Sequence, residues 1–124
     1  HPFLTHHYCP VVSPLTMDNL STEALIFFSE QQLPVYPTIV PNAGLTSPMS
    51  IAGTVAQGNA EFLAVAVLMQ MVHEGTPLIY ATLPTVADMR TGAYASGGIE
   101  CGNCTWLMPK WRTSIMYLAA VMWA

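Results

Sequence analysis

Hydrophobic and polar positions change period along this chain, and the changes mark its elements. Val35, Tyr36, Thr38, Ile39 and Val40 form a β-branched and aromatic run behind Pro34, which predicts a buried strand. Pro41, Asn42, Ala43 and Gly44 punctuate it. Ser47 then suits a helix N-cap, with Pro48 at the first helical position, where a missing N–H costs nothing. From Ile51 onward Val55, Phe62, Ala66 and Met69 recur at helical spacing, with Gln57, Glu61, Gln70 and Glu74 as the polar face. Gly75 ends this helix, and Pro77 to Ala81 opens a second buried strand. Two apolar strands joined by a long helix predict a βαβ unit with parallel strands and a right-handed crossover.

The same alternation begins earlier. Pro2 to Val12, PFLTHHYCPVV, predicts a strand that turns polar at His6, His7 and Tyr8. Leu15 to Gln32 predicts a helix with Leu20, Ala24, Phe27 and Phe28 as its apolar stripe and Glu23, Glu30 and Gln31 on the wet face. The order is then β, α, β, α, β, with strands centred near Leu4, Ile39 and Ile79. Such intervals suit strand–helix units of a (β/α)8 barrel or a doubly wound sheet. A full barrel takes about 250 residues, so the expected fold is α/β, a partial (β/α)8 TIM barrel of roughly three units. After Leu83 the stretch PTVADMRTGAYASGG reads as a polar, glycine-rich strand-to-helix loop, with the next helix expected from Gly97, Gly98, Ile99 and Glu100. From Asn103 the period is lost, and Trp106, Trp111, Trp123, Lys110 and Arg112 crowd the tail. The expected division is 1–102 as barrel segment and 103–124 as aberrant tail.

Composition sharpens this picture. The 124 residues are 52% hydrophobic and only 8% charged, with a mean hydropathy of +0.43. Soluble domains carry roughly 25% charged residues, so the chain reads as a piece of something larger. A membrane span needs about 18 consecutive apolar residues. The best stretch, Ile51 to Val72, is interrupted by Gln57, Asn59, Glu61 and Gln70, so no membrane is expected. A net charge of −4, with Arg90 the only basic residue before Lys110, leaves no electrostatic footprint for nucleic acid. No targeting segment is visible. Three cysteines make no disulfide scaffold, and a reducing cytoplasmic location fits.

In a barrel, chemistry sits at the C-terminal ends of strands. That rule selects His6 and His7 after the first strand, Asn42 after the second, and Thr85, Asp88 and Arg90 after the third. Adjacent residues of a strand face opposite ways, so at most one of His6 and His7 points into a barrel; the other reading of either is hydrogen-bonded structure. Asp88 and Arg90 suit either an ion pair that shapes the loop or a substrate contact, and Asn42 either a turn residue or a site residue. Cys101-x-x-Cys104 has redox or zinc spacing but lacks a second pair, so no metal site is expected. Met69 and Met71 read as core packing, and the AGLTSP loop lacks the lysine and spaced glycines of a phosphate cradle.

HHYCPVVSPLT, LPVYPTIVPNAGLTSPMSIAGTVAQGNAEFLA and PLIYATLPTVADMRTGAYASGG together resemble the central part of the trimethylamine methyltransferase family, the non-haem corrinoid methyltransferases. The resemblance runs from His1 to about Gly102. It implies a TIM barrel, a trimethylamine, betaine or other quaternary amine as methyl donor, and a separate corrinoid protein whose cobalt takes the methyl group. The corrinoid (cobalamin) would be carried by that partner and not bound by this segment, and the full-length protein would be a homo-oligomer. The trimethylamine enzymes have a pyrrolysine further along. The expected substrate-binding residues are those the strand-end rule selects, His6, His7, Asn42, Thr85, Asp88 and Arg90, together with Tyr8, the aromatic near a strand end that suits a quaternary ammonium through cation–π attraction. Back-translating NCTWLMPKWRTSIMYLAAVMWA and reading two nucleotides later yields LHMAYAQMAHFYNVPCGGYVG, a helix and strand of the kind the family has there. The expectation is a frame-shifted tail. The alternative to an enzyme segment is a small apolar protein that works by association with a membrane or partner, supported by the hydropathy and low charge.

Overall fold

The computed structural model describes residues 6–95, 99 and 102. The expected strand residues Pro2 to Thr5, the helix start at Gly97 and Gly98, Cys101-x-x-Cys104 and the tail 103–124 lie outside the described residues. The elements in order are β1 (His6–Tyr8), β2 (Val11–Val12), β3 (Thr16–Met17), α1 (Asn19–Glu30), β4 (Val35–Ile39), β5 (Asn42–Ala43), α2 (Ile51–Val72), β6 (Ala81–Thr82), β7 (Thr85–Ala87) and β8 (Tyr94–Ala95).

The principal sheet has the order β1-β4-β6, and both pairings are parallel. Strands thus lie side by side in chain order, as the hydrophobic pattern predicts. The β4–β6 ladder is longer than its named strands. Val35 bridges Leu78, Thr38 pairs with Ala81, Ile39 with Thr82, Asn42 with Thr85 and Ala43 with Val86, at one constant offset. Ile79, Leu83 and Thr85 donate their N–H groups to Val35, Ile39 and Pro41 carbonyls along it. Pro41 and Pro84, which lack an N–H, interrupt the named strands without shifting the register. β5, β7 and β8 form a second, mixed sheet on this extension, with β8 antiparallel to β7. The expected strand-to-helix loop after Leu83 is therefore partly a β-hairpin.

α1 and α2 cover one face of the principal sheet. Val11, Leu25, Val35, Ile39, Phe62, Val65 and Met69 form the core there, with Tyr8, Met17, Phe28 and Tyr80 packed against it. α1 starts at Asn19, later than the expected Leu15, because Val11–Val12 and Thr16–Met17 pair as a hairpin and Asp18 caps the helix through the Ser21 N–H. Its buried positions are Leu25 and Ser29, so the expected stripe is out of phase: Leu20 and Phe27 are exposed. Ser29 can be buried because its hydroxyl donates to the Leu25 carbonyl.

α2 buries Val55, Phe62 and Met69 as expected, but Met71 is exposed. Its cap is Ser50, accepting from the Gly53 N–H at 3.1 Å, and not Ser47, which stays extended and bridges Ala43. Gly44 makes the intervening turn with φ of +87°, and a side chain there would meet the Met89 sulfur at 2.9 Å. α2 also meets the length and hydropathy of a bilayer span, which the sequence reading denies it. A core helix of a soluble protein passes the same test, and α2 buries Thr54, Val55, Gly58, Glu61, Phe62, Val65 and Met69.

Candidate functional site

The register sorts the candidate residues by face. His6 and Tyr8 align with Val35 and Pro37, whose side is covered by the helices, while His7 aligns with Tyr36. His6 stacks on Phe28 with ring centroids 4.0 Å apart, and the Tyr8 hydroxyl donates to the Ser21 carbonyl at 2.8 Å. Burial pushes the Tyr8 phenol up to about 12, so it stays a neutral donor. His7 lies on the opposite, open face: its Nε2 is 2.6 Å from the Thr38 hydroxyl and its ring is 5.1 Å from that of Tyr36. Tyr36 and Thr38, which the sequence reading uses only to make a strand, thus share this face with a candidate histidine. Ile79, 44% exposed, and Leu83, 45% exposed, continue it on the next strand.

Asn42 and Thr85 lie further along the ladder, opposite each other as register partners. Measured from His7 and its partner Tyr36, they are about 20 Å away along the strand direction at roughly 3.3 Å per residue. The Asn42 carbonyl gathers the N–H groups of Leu45, Thr46 and Ser47, and its own N–H donates to the Thr46 hydroxyl. The turn-shaping reading of Asn42 therefore holds for its backbone. Its side-chain Oδ1 is buried with no partner among the described residues, and so is Oγ1 of Thr85, a residue only 1% exposed. Asn59 Oδ1 and Thr82 Oγ1 are buried without a partner among the described residues too, so what sets Asn42 and Thr85 apart is their pairing in register at one end of the ladder.

Asp88 is at the exposed tip of the β7–β8 hairpin. Its carboxylate accepts the Arg90 N–H at 3.0 Å and the Thr91 hydroxyl at 2.7 Å, and these bonds, the Arg90 one first, hold its pKa below the ordinary carboxylate value. Asp88 thus meets the Arg90 backbone, and no ion pair with the guanidinium forms among the described residues. The structure brings Asn42, Thr85 and Asp88 to one end, and leaves His6, His7 and Tyr8 beside the beginning of β4.

Sequence reasoning missed Glu61. It is 2% exposed, on what reads as the wet face of α2. Oε2 accepts from the Ser13 hydroxyl at 2.8 Å, and Oε1 accepts from the Leu15 N–H at 3.0 Å and from Gln57 Nε2 at 2.9 Å. Gln57 Nε2 also donates to the Thr46 carbonyl at 2.8 Å. No group of three His, Cys, Asp or Glu side chains among the described residues gathers to ligate a metal.

Comparison with known proteins decides the family. The family model for trimethylamine methyltransferase (MTTB) matches residues 1–110. The chain belongs to this methyltransferase family. It is 38% identical over 90 residues to the glycine betaine methyltransferase of Desulfitobacterium hafniense strain Y51, covering 73% of this chain and 19% of that protein. It is 34% identical over 99 residues to the proline betaine:corrinoid methyltransferase of Eubacterium limosum, 80% of this chain and 20% of that one. The trimethylamine methyltransferase MttB of Desulfitobacterium hafniense strain DSM 10664 / DCB-2 is 32% identical over 101 residues, 82% of this chain and 20% of its own. The chain thus spans about a fifth of the curated relatives' length, and it carries the parallel strand–helix pattern within that fifth.

Proposed function

We propose that this chain is a segment of a cytoplasmic (β/α)8-barrel methyltransferase that takes a methyl group from a methylated or quaternary amine and passes it to the cobalt of a corrinoid protein. The observation that carries this reading is the parallel sheet whose two helices among the described elements, α1 and α2, pack on the same face, in a member of the MTTB family. In a barrel the uncovered face is the interior. In this reading the corrinoid is carried by a separate partner protein, and its reduced cobalt is the nucleophile.

A quaternary amine is a hard methyl donor, and most of the rate must come from holding its C–N bond in line and excluding water. Asn42 and Thr85 are placed for that task at the C-terminal end of the ladder. Oδ1 of Asn42 accepts contacts from the positively polarised methyls, and the Thr85 hydroxyl donates to a carboxylate such as a betaine carries. Asp88 and Arg90 border the same end on the hairpin. His7 and Tyr36, with Thr38, belong to a packed interior layer beneath it. His6 and Tyr8 anchor α1. Residues 1–102 are assigned to the barrel and 103–124 to a shifted reading frame, which the nucleotide sequence decides.

The test joins the chain in frame to the remainder of its gene and assays methyl transfer from trimethylamine and glycine betaine to Co(I) cobalamin. Turnover is expected from the joined protein and none from the 124-residue chain. Thr85→Val should lower kcat/KM about tenfold, the scale of one buried hydrogen bond. Turnover by the 124-residue chain at the joined protein's rate overturns the reading, and salt-resistant pelleting of that chain with membranes would point to the apolar association protein instead.

A further inference from the structure

We infer that Glu61 is a positioning residue that couples the loop after the first strand to the loop after the second, and so sets the shape of the substrate end. The inference rests on the barrel reading for what that end does, but the coupling stands on contacts alone. Both loops leave the C-terminal ends of parallel strands: residues 9–18 follow β1, and residues 44–50 follow the β4–β5 strand. One carboxylate, on a third element, holds both. It binds the first loop directly, at the Ser13 hydroxyl and the Leu15 N–H, and the second through Gln57, whose amide bridges Glu61 Oε1 and the Thr46 carbonyl.

Two features make this more than a satisfied core group. Leu15 has φ of +52°, a left-handed conformation that residues with a Cβ seldom adopt, and in it the N–H donates to Glu61 Oε1. At the other end, Thr46 is tied to Asn42 twice, through its N–H on the Asn42 carbonyl and its hydroxyl on the Asn42 N–H. The path from Glu61 through Gln57 and Thr46 therefore ends on Asn42, the candidate residue whose side-chain Oδ1 is buried without a partner among the described residues. An apolar residue at position 61 would leave the Ser13 hydroxyl and the Leu15 N–H without this acceptor and would cut the bridge between the two loops at Gln57.

The test uses the in-frame joined protein, hydrogen exchange and steady-state kinetics. Glu61→Met should raise exchange about tenfold at the Leu15 amide and at the amides of Leu45, Thr46 and Ser47, while Val65 and Met69 in α2 change less than about twofold. Gln57→Met should raise it in the second loop only. Glu61→Gln should stay near wild type, because the amide oxygen keeps Leu15 and Gln57 and the Ser13 hydroxyl can turn to accept. KM for the methyl donor should rise about tenfold in Glu61→Met and Gln57→Met, with kcat within about threefold, and Glu61→Gln should restore it. Exchange that rises uniformly through both helices, or an unchanged second loop in Gln57→Met, overturns the coupling. If Glu61→Met does not fold, Gln57→Met and Glu61→Gln still decide. A joined protein that lacks methyl transfer but shows the loop-specific pattern supports the coupling and removes the methyltransferase reading instead.

Discussion

The two faces of the principal sheet carry similar large apolar residues and bury them to different degrees. On the helix side, Val35 and Ile39 are wholly buried against Leu25, Phe62, Val65 and Met69. On the other side, Ile79 and Leu83 leave nearly half their surface in the open, beside His7, Tyr36 and Thr38. Strand alternation distributes both sets, and the Val35–Leu78 to Ala43–Val86 ladder fixes the alternation without a slip. The difference lies in what each face meets. Local chain supplies two helices to one face, whereas in a barrel the other is closed by strands distant in sequence. Under the barrel proposal the helix side is a finished core, and Ile79 and Leu83 mark the part of the other face that distant strands would cover.

Mutation should separate them. Phe62 is 2% exposed, with its ring edge-on to Tyr80 at 4.4 Å, and its truncation leaves a cavity that the packed helices cannot fill. Phe62→Ala should cost about 3–5 kcal/mol in the joined protein by chemical denaturation. Ile79→Ala sharpens the contrast: in the 124-residue chain it should cost less than about 1 kcal/mol, and in the joined protein about 2–4 kcal/mol once the face is covered. Equal costs in the two proteins would break the comparison, because the open face would then have no distant cover.

How much of this was legible depended on which interactions decide each element. The βαβ order and the burial of Val55, Phe62 and Met69 follow from period alone, because a long crossover and a uniform apolar stripe are local signals. The phase of α1 was not legible. The β2–β3 hairpin takes up its expected first turn, and a buried serine that bonds its own helix backbone replaces an apolar residue. Glu61 was illegible for the same reason: its partners, Ser13 and Leu15, lie far away in sequence, and a buried carboxylate and a wet one are the same letter. The strand-end rule picks residues that the structure divides between two places: Asn42, Thr85 and Asp88 lie toward one end of the ladder, whereas His6, His7 and Tyr8 lie apart from them, since β1 ends beside the middle of β4 and not beside its tip. The Asp88 partner was missed because a turn closes onto backbone N–H, which sequence does not display.

Tyr8 probes the helix side where it turns polar. Its hydroxyl donates to the Ser21 carbonyl of α1, and burial pushes its pKa up to about 12 from the ordinary 10.0. A phenol held neutral by the fold contributes stability that is complete below the unfolded value and is lost as pH rises toward the folded one. Tyr8→Phe should cost about 1 kcal/mol at neutral pH, the scale of one hydrogen bond, and should flatten part of the loss between about pH 10 and 12. Tyr80, also raised by burial, keeps titrating in the variant, so the readout is the difference between the two denaturation curves. An unchanged alkaline limb would detach Tyr8 from the helix side.

The smallest effect is expected where neither face is involved. Asp88 is fully exposed at the hairpin tip, and its carboxylate holds the Arg90 N–H and the Thr91 hydroxyl while its carbonyl accepts from the Gly92 N–H. These donors favour the ionised form, so its pKa lies below the ordinary 3.8. The sign follows: the turn is fully held above the unfolded value and loosens as pH falls through the lowered one. Amide exchange and chemical shift at Arg90 and Gly92 should therefore report an acid transition with a midpoint below 3.8, while Val65 and Met69 in the helix-side core do not sense it. Asp88→Asn keeps its amide oxygen for the Arg90 N–H, while its NH2 can donate to a Thr91 hydroxyl turned to accept, so it should abolish the inflection without opening the hairpin. A midpoint at or above the ordinary value would mean the carboxylate is free of the turn. The β7–β8 hairpin would then be positioned by its strand pairing alone.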